Sequence, residues 1–296
     1  MATYDFIIIN RSFWPTYPVI GEGLLRLAEI SALSKKVAVI SQNQVNIKEY
    51  LKKSGRGQGV KFFSAWSFSN SASNIVKRIF DNLFFMFWVF FALIIARPKK
   101  IYVSTDPPIL VPFIVALYSK ISKAKYFYHL QDIHPEATNT VFRINTFFIK
   151  ILKKIDNFSL CNASSLITLN EEMKLEILNR SNTQKQISII ENPSVQFNIN
   201  SQSKKKLGFS FTGNIGRHQL IPLLIDAIKQ YLEKGGSFEF AFAGGGIYAD
   251  RIKKLSENNS LIKYFGKVSS EKAALISNGY EWALSPIEDQ ITRYAF

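Results

Sequence analysis

The sequence HLQDIHPE at residues 129–136 concentrates side chains that exchange protons near neutral pH. It follows a largely apolar run at 125–130 that is typical of a buried strand. His129 and His134, two of the three histidines of the chain, flank Asp132. At the carboxyl end of a strand such groups can serve as acid, base or charge stabiliser. The alternatives are hydrogen bonds that only hold the loop, and a metal site, for which the sequence offers no further suitably spaced ligands.

A second segment is suited to binding phosphate. Residues 208–219 read GFSFTGNIGRHQ, a short β-rich run followed by a turn that contains Gly213, Asn214 and Gly216. Glycines let a backbone approach a phosphate, and the first N–H groups of a following helix point at it. Arg217 can add a charge-assisted contact. The spacing matches neither the dinucleotide fingerprint nor the Walker loop, so an ordinary strand-to-helix turn is the alternative.

The segment at 10–23, NRSFWPTYPVIGEG, predicts a long loop after the first strand. Gly21 and Gly23 would let a substrate approach the backbone of this loop. The alternative is a purely structural loop that is packed by its own aromatic residues.

Three more segments stand at predicted strand ends in the second half of the chain. Glycines occur at 244–246 and at 266, where a tight turn selects the same residue for its own reasons. Glu288 and Asp289 follow the last predicted strand. They can accept hydrogen bonds from sugar hydroxyls, although acids at a surface turn are the commoner case.

Strands that alternate with helices position these loops, and this alternation predicts parallel sheets with ligands at the carboxyl ends of the strands. A polar segment at 191–206, ENPSVQFNINSQSKKK, predicts a linker between an N-terminal domain of residues 1–190 and a second domain of residues 207–296. The predicted strands are 5–9, 36–41, 100–104, 125–130, 165–169, 187–190, 209–212, 238–243, 262–265 and 282–285. The predicted helices are 22–33, 74–96, 109–121, 144–158, 171–178, 219–234, 249–256 and 270–277.

Composition indicates a globular protein with an anionic partner. The 296 residues are 47 % hydrophobic and 20 % charged, and the net charge of +15 is concentrated as +12 in residues 1–158. This charge fits lipid headgroups, nucleic acid or a phosphorylated substrate. No nucleic-acid motif is present, so we expect no nucleic-acid partner. The single Cys161 excludes an intrachain disulfide, and the first residues lack the pattern of a signal peptide, which together predict a cytoplasmic location.

One stretch favours contact with a membrane. Residues 83–96, LFFMFWVFFALIIA, are all apolar and end at the basic sequence RPKK. A spanning helix needs about 20 such residues, so an interfacial or partly inserted helix is favoured over a buried one, and a true span is least expected. Residues 144–158 combine Phe147 and Phe148 with three lysines, which predicts a basic amphipathic helix or an ordinary surface helix.

Taken in order, these segments resemble the bacterial glycosyltransferases of family 4, enzymes of the GT-B fold that build O-antigen or capsule. The resemblance implies an α/β protein with two Rossmann-like doubly wound domains, of which the second is incomplete. The segments that carry the resemblance are Gly21 and Gly23, HLQDIHPE at 129–136, ENP at 191–193, FTGNIG at 211–216 with Gln219, AGG at 243–245, FG at 265–266 and LSP at 284–286.

The resemblance implies a retaining transfer of sugar from a nucleotide diphosphate sugar to a polyprenyl-diphosphate-linked saccharide, at the inner face of the cytoplasmic membrane. It implies no metal and no other cofactor. The acceptor would meet Gly21, Gly23 and the 129–136 loop, with Asp132 favoured over His129 and His134 as the catalytic group. The donor residues it implies are Gly213, Asn214, Gly216, Arg217 and Gln219 at the diphosphate, Gly266, Lys267 and Val268 near the base, and Glu288 and Asp289 at the sugar.

Two departures from the family pattern matter. Asn214 and Gln219 stand where many members carry a basic pair at the diphosphate. The chain also ends at Phe296, before the segment that completes the second domain in the family, so we expect a fragment or a truncated product. The alternatives are a non-catalytic binding partner in polysaccharide assembly, and a nucleotide-sugar epimerase, since such epimerases share the fold.

Overall fold

Seven short strands between residues 4 and 189 pair into one parallel sheet. The computed structural model describes residues 4–69, 73–141, 143–192, 204–288 and 294. Its contacts divide the chain into two units, residues 1–193 with 293–296, and residues 194–292. The first sheet has the order β3-β2-β1-β4-β5-β6-β7. Its strands are β1 (Tyr4–Ile9), β2 (Val37–Asn43), β3 (Val60–Trp66), β4 (Pro98–Ser104), β5 (Lys125–His129), β6 (Ser165–Thr168) and β7 (Ile187–Ile189).

Helices cover both faces of this sheet because side chains alternate along each strand. Ile7 and Ile9 of β1 belong to one core, whereas Ile8 belongs to the other. The first core is closed by α3, α4, α6 and α7, and the second by α1 and α2. The helices of the unit are α1 (Pro18–Ala32), α2 (Ile47–Ser54), α3 (Ile75–Ala96), α4 (Leu110–Ser122), α5 (Glu136–Val141), α6 (Thr146–Asn162) and α7 (Glu171–Ser181).

The second unit repeats the same strand order on a smaller scale. Its four parallel strands are arranged β10-β9-β8-β11, which corresponds to β3-β2-β1-β4 of the first sheet. Aromatic and aliphatic residues such as Phe211, Phe242 and Ile225 form its core. Its elements are β8 (Lys206–Thr212), α8 (Ile221–Glu233), β9 (Glu239–Ala243), α9 (Ala249–Asn258), β10 (Ile262–Tyr264), α10 (Ser270–Asn278) and β11 (Tyr280–Ala283).

The predicted α/β alternation is confirmed, with three elements added. Elements α2, β3 and α5 are not among the elements predicted from the sequence. Strand β3 lies at the edge of the sheet, and only Phe62 and Ala65 of its seven residues are buried, so its apolar pattern is weak. The predicted linker lies mostly outside the described residues, at 193–203. Tyr294 belongs to the first unit, where its carbonyl accepts a hydrogen bond from the Ile133 N–H at 2.6 Å, whereas the sequence assigned it to the second domain.

A buried carboxylate fixes the start of α3 to the edge of the first sheet. Asp81, in the second turn of α3, has a side chain with no exposed surface and forms an ion pair with Arg11 at 2.8 Å. Gln42 of β2 donates to it at 2.7 Å. The hydroxyls of Ser67 and Ser69 also donate, as do two backbone N–H groups of the same segment. Burial raises the pKa of Asp81. The hydrogen bonds from residues 67–69 and the positive charge of Arg11 together lower it by more, so its pKa lies below the usual value.

The remainder of α3 has two different apolar faces. Phe85, Val89 and Leu93 are fully buried in the first core. On the outward face Phe87 and Phe91 are more than half exposed. Among the described residues, only Val76–Ala96 is long and apolar enough to cross a membrane, with a mean hydropathy of 2.2 and 33 % of its residues buried.

Replacing Asp81 with asparagine is expected to destabilise the first unit by about 3 kcal/mol, because Arg11 loses its charged partner inside the network. Urea unfolding followed by hydrogen exchange of peptides from each unit measures this change separately for the two units. Glu49→Gln, which removes an exposed ion pair with Lys53, is the matched control and should stay within about 0.5 kcal/mol. Equal effects of the two substitutions would contradict the role of Asp81.

Candidate functional site

A cavity of about 630 Å³ opens at the carboxyl edge of the first sheet. It lies beside the ends of β1, β4 and β5, where the strand order reverses direction and ligands bind in doubly wound folds. The residues that line it are Asn10, Ser12, Thr16, Tyr17, Ile20, Arg78, Ile79, Asn82, Thr105, Asp106, Pro108, Gln131, Asp132, His134 and Thr138. Two of the three predicted catalytic residues, Asp132 and His134, are among them.

The backbone holds Asp132 in the wall of this cavity. The hydroxyl of Thr105, which follows β4, accepts hydrogen bonds from the N–H groups of Gln131 and Asp132 at 3.2 and 3.3 Å. These contacts tie the loop after β5 to the loop after β4. The carboxylate itself is 45 % exposed, and its Oδ2 lies 4.0 Å from His134 Nε2. Asp132 therefore faces the cavity with its acidic group available to a ligand.

Partial burial and the neighbouring Asp106 together raise the pKa of Asp132 to about 6. Asp106 is held in place because its carboxylate accepts a hydrogen bond from the Ser12 N–H at 2.6 Å. Two carboxyl groups at one cavity wall disfavour ionisation of both at once. A group with a pKa near 6 can change its protonation state close to neutral pH, which suits a residue at a reacting centre.

The two histidines of the loop differ in their surroundings. His134 Nδ1 bonds the Thr138 hydroxyl at 2.8 Å, and burial lowers the pKa of His134 to about 4. His129 does not line the cavity. It is hydrogen-bonded to the Tyr102 hydroxyl and to Gln131, and burial lowers its pKa to about 4 as well. Both histidines are therefore neutral at pH 7, and His129 stands behind the cavity wall.

A buried ion cluster supports the same loop from below. Arg180 of α7 pairs with Glu136 at 2.9 Å and with Asp156 of α6. It also donates a hydrogen bond to the His134 carbonyl at 2.8 Å. Tyr128 of β5 donates to Asp156 at 2.9 Å. Glu136 thus has a structural partner, and Arg180 acts as a positioning residue that the sequence analysis did not identify.

The prediction of a loop over residues 10–23 is wrong for its second half, which is helical. Helix α1 begins at Pro18, so Gly21 and Gly23 are helical. A side chain at Gly21 would place its Cβ 2.2 Å from the backbone nitrogen of Trp14. Gly21 is required because the helix packs directly on the preceding loop, and it is not an open approach to a substrate.

In the second unit three glycine turns meet at the carboxyl edge of the sheet. The turns follow β8, β9 and β10. Gly213 N–H donates to the Ala243 carbonyl at 2.9 Å, and Gly244 N–H donates to the Gly266 carbonyl at 2.8 Å. A Cβ at Gly244 would lie 1.8 Å from the Gly213 carbonyl oxygen, so only glycine fits. The residues that the sequence placed in separate predicted sites therefore form one surface.

This glycine surface is open and carries positive charge. A Cβ at Gly213 would meet no atom within 4 Å, so free space adjoins the backbone there. Arg217 is exposed in the turn that precedes α8. The aliphatic chain of Lys267 lies against Gly245, where an added Cβ would be 2.4 Å from its Cε. Lys267 thus lies at the glycine turns, and its predicted place near the nucleotide base stays a prediction.

Two polar side chains of the 213–219 turn contact the turn itself. The side chains of Asn214 and Gln219 both lie against Gly216. Within the described part of the chain, no hydrogen-bond donor reaches the buried Oε1 of Gln219. Buried carbonyl oxygens normally accept a hydrogen bond, so this acceptor is available to an O–H or N–H donor.

The other predicted donor residues lie nearby in the second unit or outside the described residues. Val268 follows Lys267 in the turn after β10. Glu288 Oε2 lies 3.4 Å from His218 Nδ1, and its N–H donates to the His218 carbonyl at 2.9 Å. Asp289 lies outside the described residues. Across the residues that the structure describes, no three His, Cys, Asp or Glu side chains are grouped as metal ligands, and the metal-free expectation stays a prediction.

Comparison with known proteins gives a consistent set of relatives, although no family model matches the chain. The chain is 24 % identical over 190 residues to a probable glycosyltransferase, WbjE, of Pseudomonas aeruginosa. This match covers 58 % of the chain and 47 % of WbjE, so the chain spans about half the length of this curated relative.

Solved structures match almost the whole chain at low identity. HepE of Anabaena, in complex with UDP, has a TM-score of 0.60 at 14 % identity over 96 % of this chain and 74 % of its own. Sucrose-phosphate synthase of Thermosynechococcus elongatus has a TM-score of 0.67 at 11 % identity over 96 % and 75 %. The chain has the GT-B fold. The predicted α/β fold of the GT-B class is confirmed, whereas membership of family 4 and an incomplete second domain stay predictions.

Gly244→Ala is expected to destabilise the second unit by about 2 kcal/mol, because the new methyl group overlaps the Gly213 carbonyl. Gly245→Ala is the matched control at the next residue, where the methyl group displaces only the flexible chain of Lys267. Urea unfolding followed by hydrogen exchange of peptides from residues 206–283 measures the stability of this unit. Equal free energies of unfolding for the two variants would contradict the claim that the close contact between Gly244 and the Gly213 carbonyl requires glycine.

Proposed function

We propose that this chain takes part in glycosyl transfer from a nucleotide diphosphate sugar to a lipid-linked saccharide, with retention at the anomeric carbon, in the synthesis of O-antigen or capsule. The observation that carries the proposal is the surface formed by three hydrogen-bonded glycine turns at the carboxyl edge of the second sheet. The similarity to WbjE and to UDP-bound HepE supports the same chemistry.

In this proposal the donor diphosphate lies on the glycine surface of the second unit. The free space beside Gly213 admits phosphate oxygens to the backbone. Arg217 and Lys267 supply positive charge, which stabilises the nucleoside diphosphate as it leaves. These two cations take the role of the basic pair that many family members carry at the positions of Asn214 and Gln219. We propose no metal and no other cofactor.

The acceptor belongs to the cavity of the first unit. Asp132, Asp106 and Gln131 provide polar groups for saccharide hydroxyls. Tyr17, Ile20 and Ile79 add apolar surface to the same cavity, and Arg78 adds a cation. A saccharide with a diphosphate and a polyprenyl chain combines these three chemistries in one molecule, so the lining fits an acceptor of this class.

Asp132 is the proposed catalytic residue. An ionised carboxylate that faces the anomeric carbon stabilises the positive charge that develops there when the bond to the diphosphate breaks. His134 borders the carboxylate, and His129 positions the loop through Tyr102 and Gln131. Asp132 is the member of the three whose acidic group is both exposed to the cavity and close to a change of protonation at neutral pH.

We further propose that the first unit rests on the inner face of the cytoplasmic membrane through α3. Its outward face presents Phe84, Phe87, Phe91 and Ile95 to the surroundings. Helix α6 adds Phe147 and Phe148, both more than half exposed, beside Lys150. Aromatic residues with flanking lysines are typical of helices that lie in the membrane interface.

Measurements of donor binding test the glycine surface as the diphosphate site directly. Gly213→Val fills the free space beside the turn and is expected to weaken binding of UDP or a UDP-sugar by roughly tenfold or more in calorimetry. Lys267→Gln should have a similar effect, because it removes a charge-assisted contact without changing the backbone. If UDP fails to bind the unaltered chain, the same titration with GDP decides between another nucleotide and no donor site.

The control for Lys267→Gln is Lys263→Gln, which removes an equally exposed cation from β10. We expect no change in nucleotide affinity from this control. Unchanged hydrogen exchange of peptides from residues 206–283 shows that the second unit of Gly213→Val remains folded. Unchanged affinity in both Gly213→Val and Lys267→Gln would overturn the assignment of the glycine surface as the diphosphate site.

Asp132→Asn is expected to lower kcat by roughly 10²- to 10³-fold while leaving donor affinity within about twofold, because the carboxylate acts at the reacting centre. The unaltered protein should lose kcat/KM as the pH falls below about 6, since the pKa of Asp132 is raised to about 6 and the acidic form is neutral. This acid limb should disappear in the variant. Equal loss of donor binding and turnover would indicate a structural role instead.

A further inference from the structure

A second cavity lies on the first unit at the opposite edge of the sheet from Asp132. Its volume is about 680 Å³, and it opens where β4 and β5 begin. Half of its ten lining residues are cations, and the others are mostly apolar or small. The lining consists of Ile94, Arg97, Pro98, Lys99, Lys100, Tyr118, Ser122, Lys123, Ala124 and Lys125.

The positive charge of this cavity is almost uncompensated. Lys99 pairs with Asp5 at 2.7 Å. In the described part of the chain, no ion pair is formed by the other four cations, Arg97, Lys100, Lys123 and Lys125. All five cations belong to exposed residues, so the four without an ion pair are accessible to a ligand from the solvent side.

Two of the cations occupy positions where glycine would be the stable choice. Arg97 and Lys123 follow the last residues of α3 and α4, and both have left-handed backbones with φ of 45° and 60°. Glycine is preferred at such helix ends because a side chain there costs about 1 kcal/mol. Cations near a helix C-terminus also complement its partial negative charge, which is the ordinary structural explanation for basic residues here.

The cavity continues directly into an apolar surface. Ile94 belongs both to its lining and to the outward face of α3, which extends through Phe91 and Phe87. On the other side Ile121, near the end of α4, is 83 % exposed. A ligand that joins a negative group to a hydrocarbon chain would satisfy both surfaces.

We infer that this cavity binds the headgroup phosphate of an anionic phospholipid, whose acyl chains lie along the outward face of α3. The inference rests on the proposed membrane contact of α3 and deepens it. A soluble phosphate is disfavoured because every cation of the cavity is exposed and none is a buried donor aimed inward, whereas at a bilayer surface several exposed cations act together.

Co-sedimentation with vesicles of phosphatidylcholine, with or without phosphatidylglycerol, tests the inference. The double variant Arg97→Gly with Lys123→Gly removes two cations while keeping backbones that glycine favours, so its thermal stability should be equal or higher. Its affinity for phosphatidylglycerol vesicles should fall roughly 25-fold, about fivefold for each cation. The control is Lys48→Gln with Lys52→Gln, which removes the same charge from α2 on the other face of the sheet and should lower the affinity much less.

The remaining outcomes separate the inference from the proposals on which it rests. Equal losses in the two double variants would overturn the headgroup site and indicate a diffuse charge effect. Saturable binding of glycerol phosphate without vesicles would also overturn it, in favour of a soluble anion. Phe87→Ser with Phe91→Ser should weaken binding to both kinds of vesicle, and unchanged binding would overturn the membrane contact. The same variants should bind nucleotide as the unaltered chain does, because the proposed donor site lies on the second unit. Failure of the lipid site therefore leaves the proposed donor site unaffected.

Discussion

The buried carboxylate of Asp81 is the contact on which much of the first unit depends. It binds Arg11, Gln42 and the segment after β3 at once, so it joins three strand ends to one turn of α3. This anchor places the next residue of the helix, Asn82, in the wall of the cavity that contains Asp132. A helix whose outward face is as apolar as its inward face has no sequence pattern that selects its rotation, and the polar anchor supplies that selection.

The two units present different chemical groups at the carboxyl edge of their sheets. Both have a strand order that reverses at the first strand, which leaves the ends of neighbouring strands accessible at one edge. In the first unit that edge carries side chains, and Thr105 and Arg180 hold the loop of Asp132 by its backbone. In the second unit the edge carries glycine turns that are joined to one another by backbone hydrogen bonds, such as the one from the Gly244 N–H to the Gly266 carbonyl. The first arrangement presents carboxylates to a polar ligand, and the second presents bare backbone and cations, which suits phosphate.

Local pattern was sufficient for most elements and insufficient for contacts between them. The strands at 5–9 and 238–243 are apolar except for one acid each, Asp5 and Glu239, so their type and place followed from the sequence. Gly21 was expected in an open loop, but a glycine is needed there because the backbone of Trp14 packs against it. Only the folded chain brings these two residues into contact. Arg180 carries no local signal, since its partners are 24 and 44 residues away. Asp106 was accessible to prediction, because it follows a predicted strand by two residues and obeys the same strand-end rule.

The most direct test of the central claim is an NMR titration of the 15N-labelled chain with UDP, in which glycine amide signals are resolved from most others. The proposed function predicts that the amides of Gly213, Gly244 and Gly266 shift together and saturate at one nucleotide per chain, while signals of the first sheet stay in place. Saturable shifts confined to other residues, or no shift at millimolar UDP and GDP, would contradict a diphosphate site on the glycine surface.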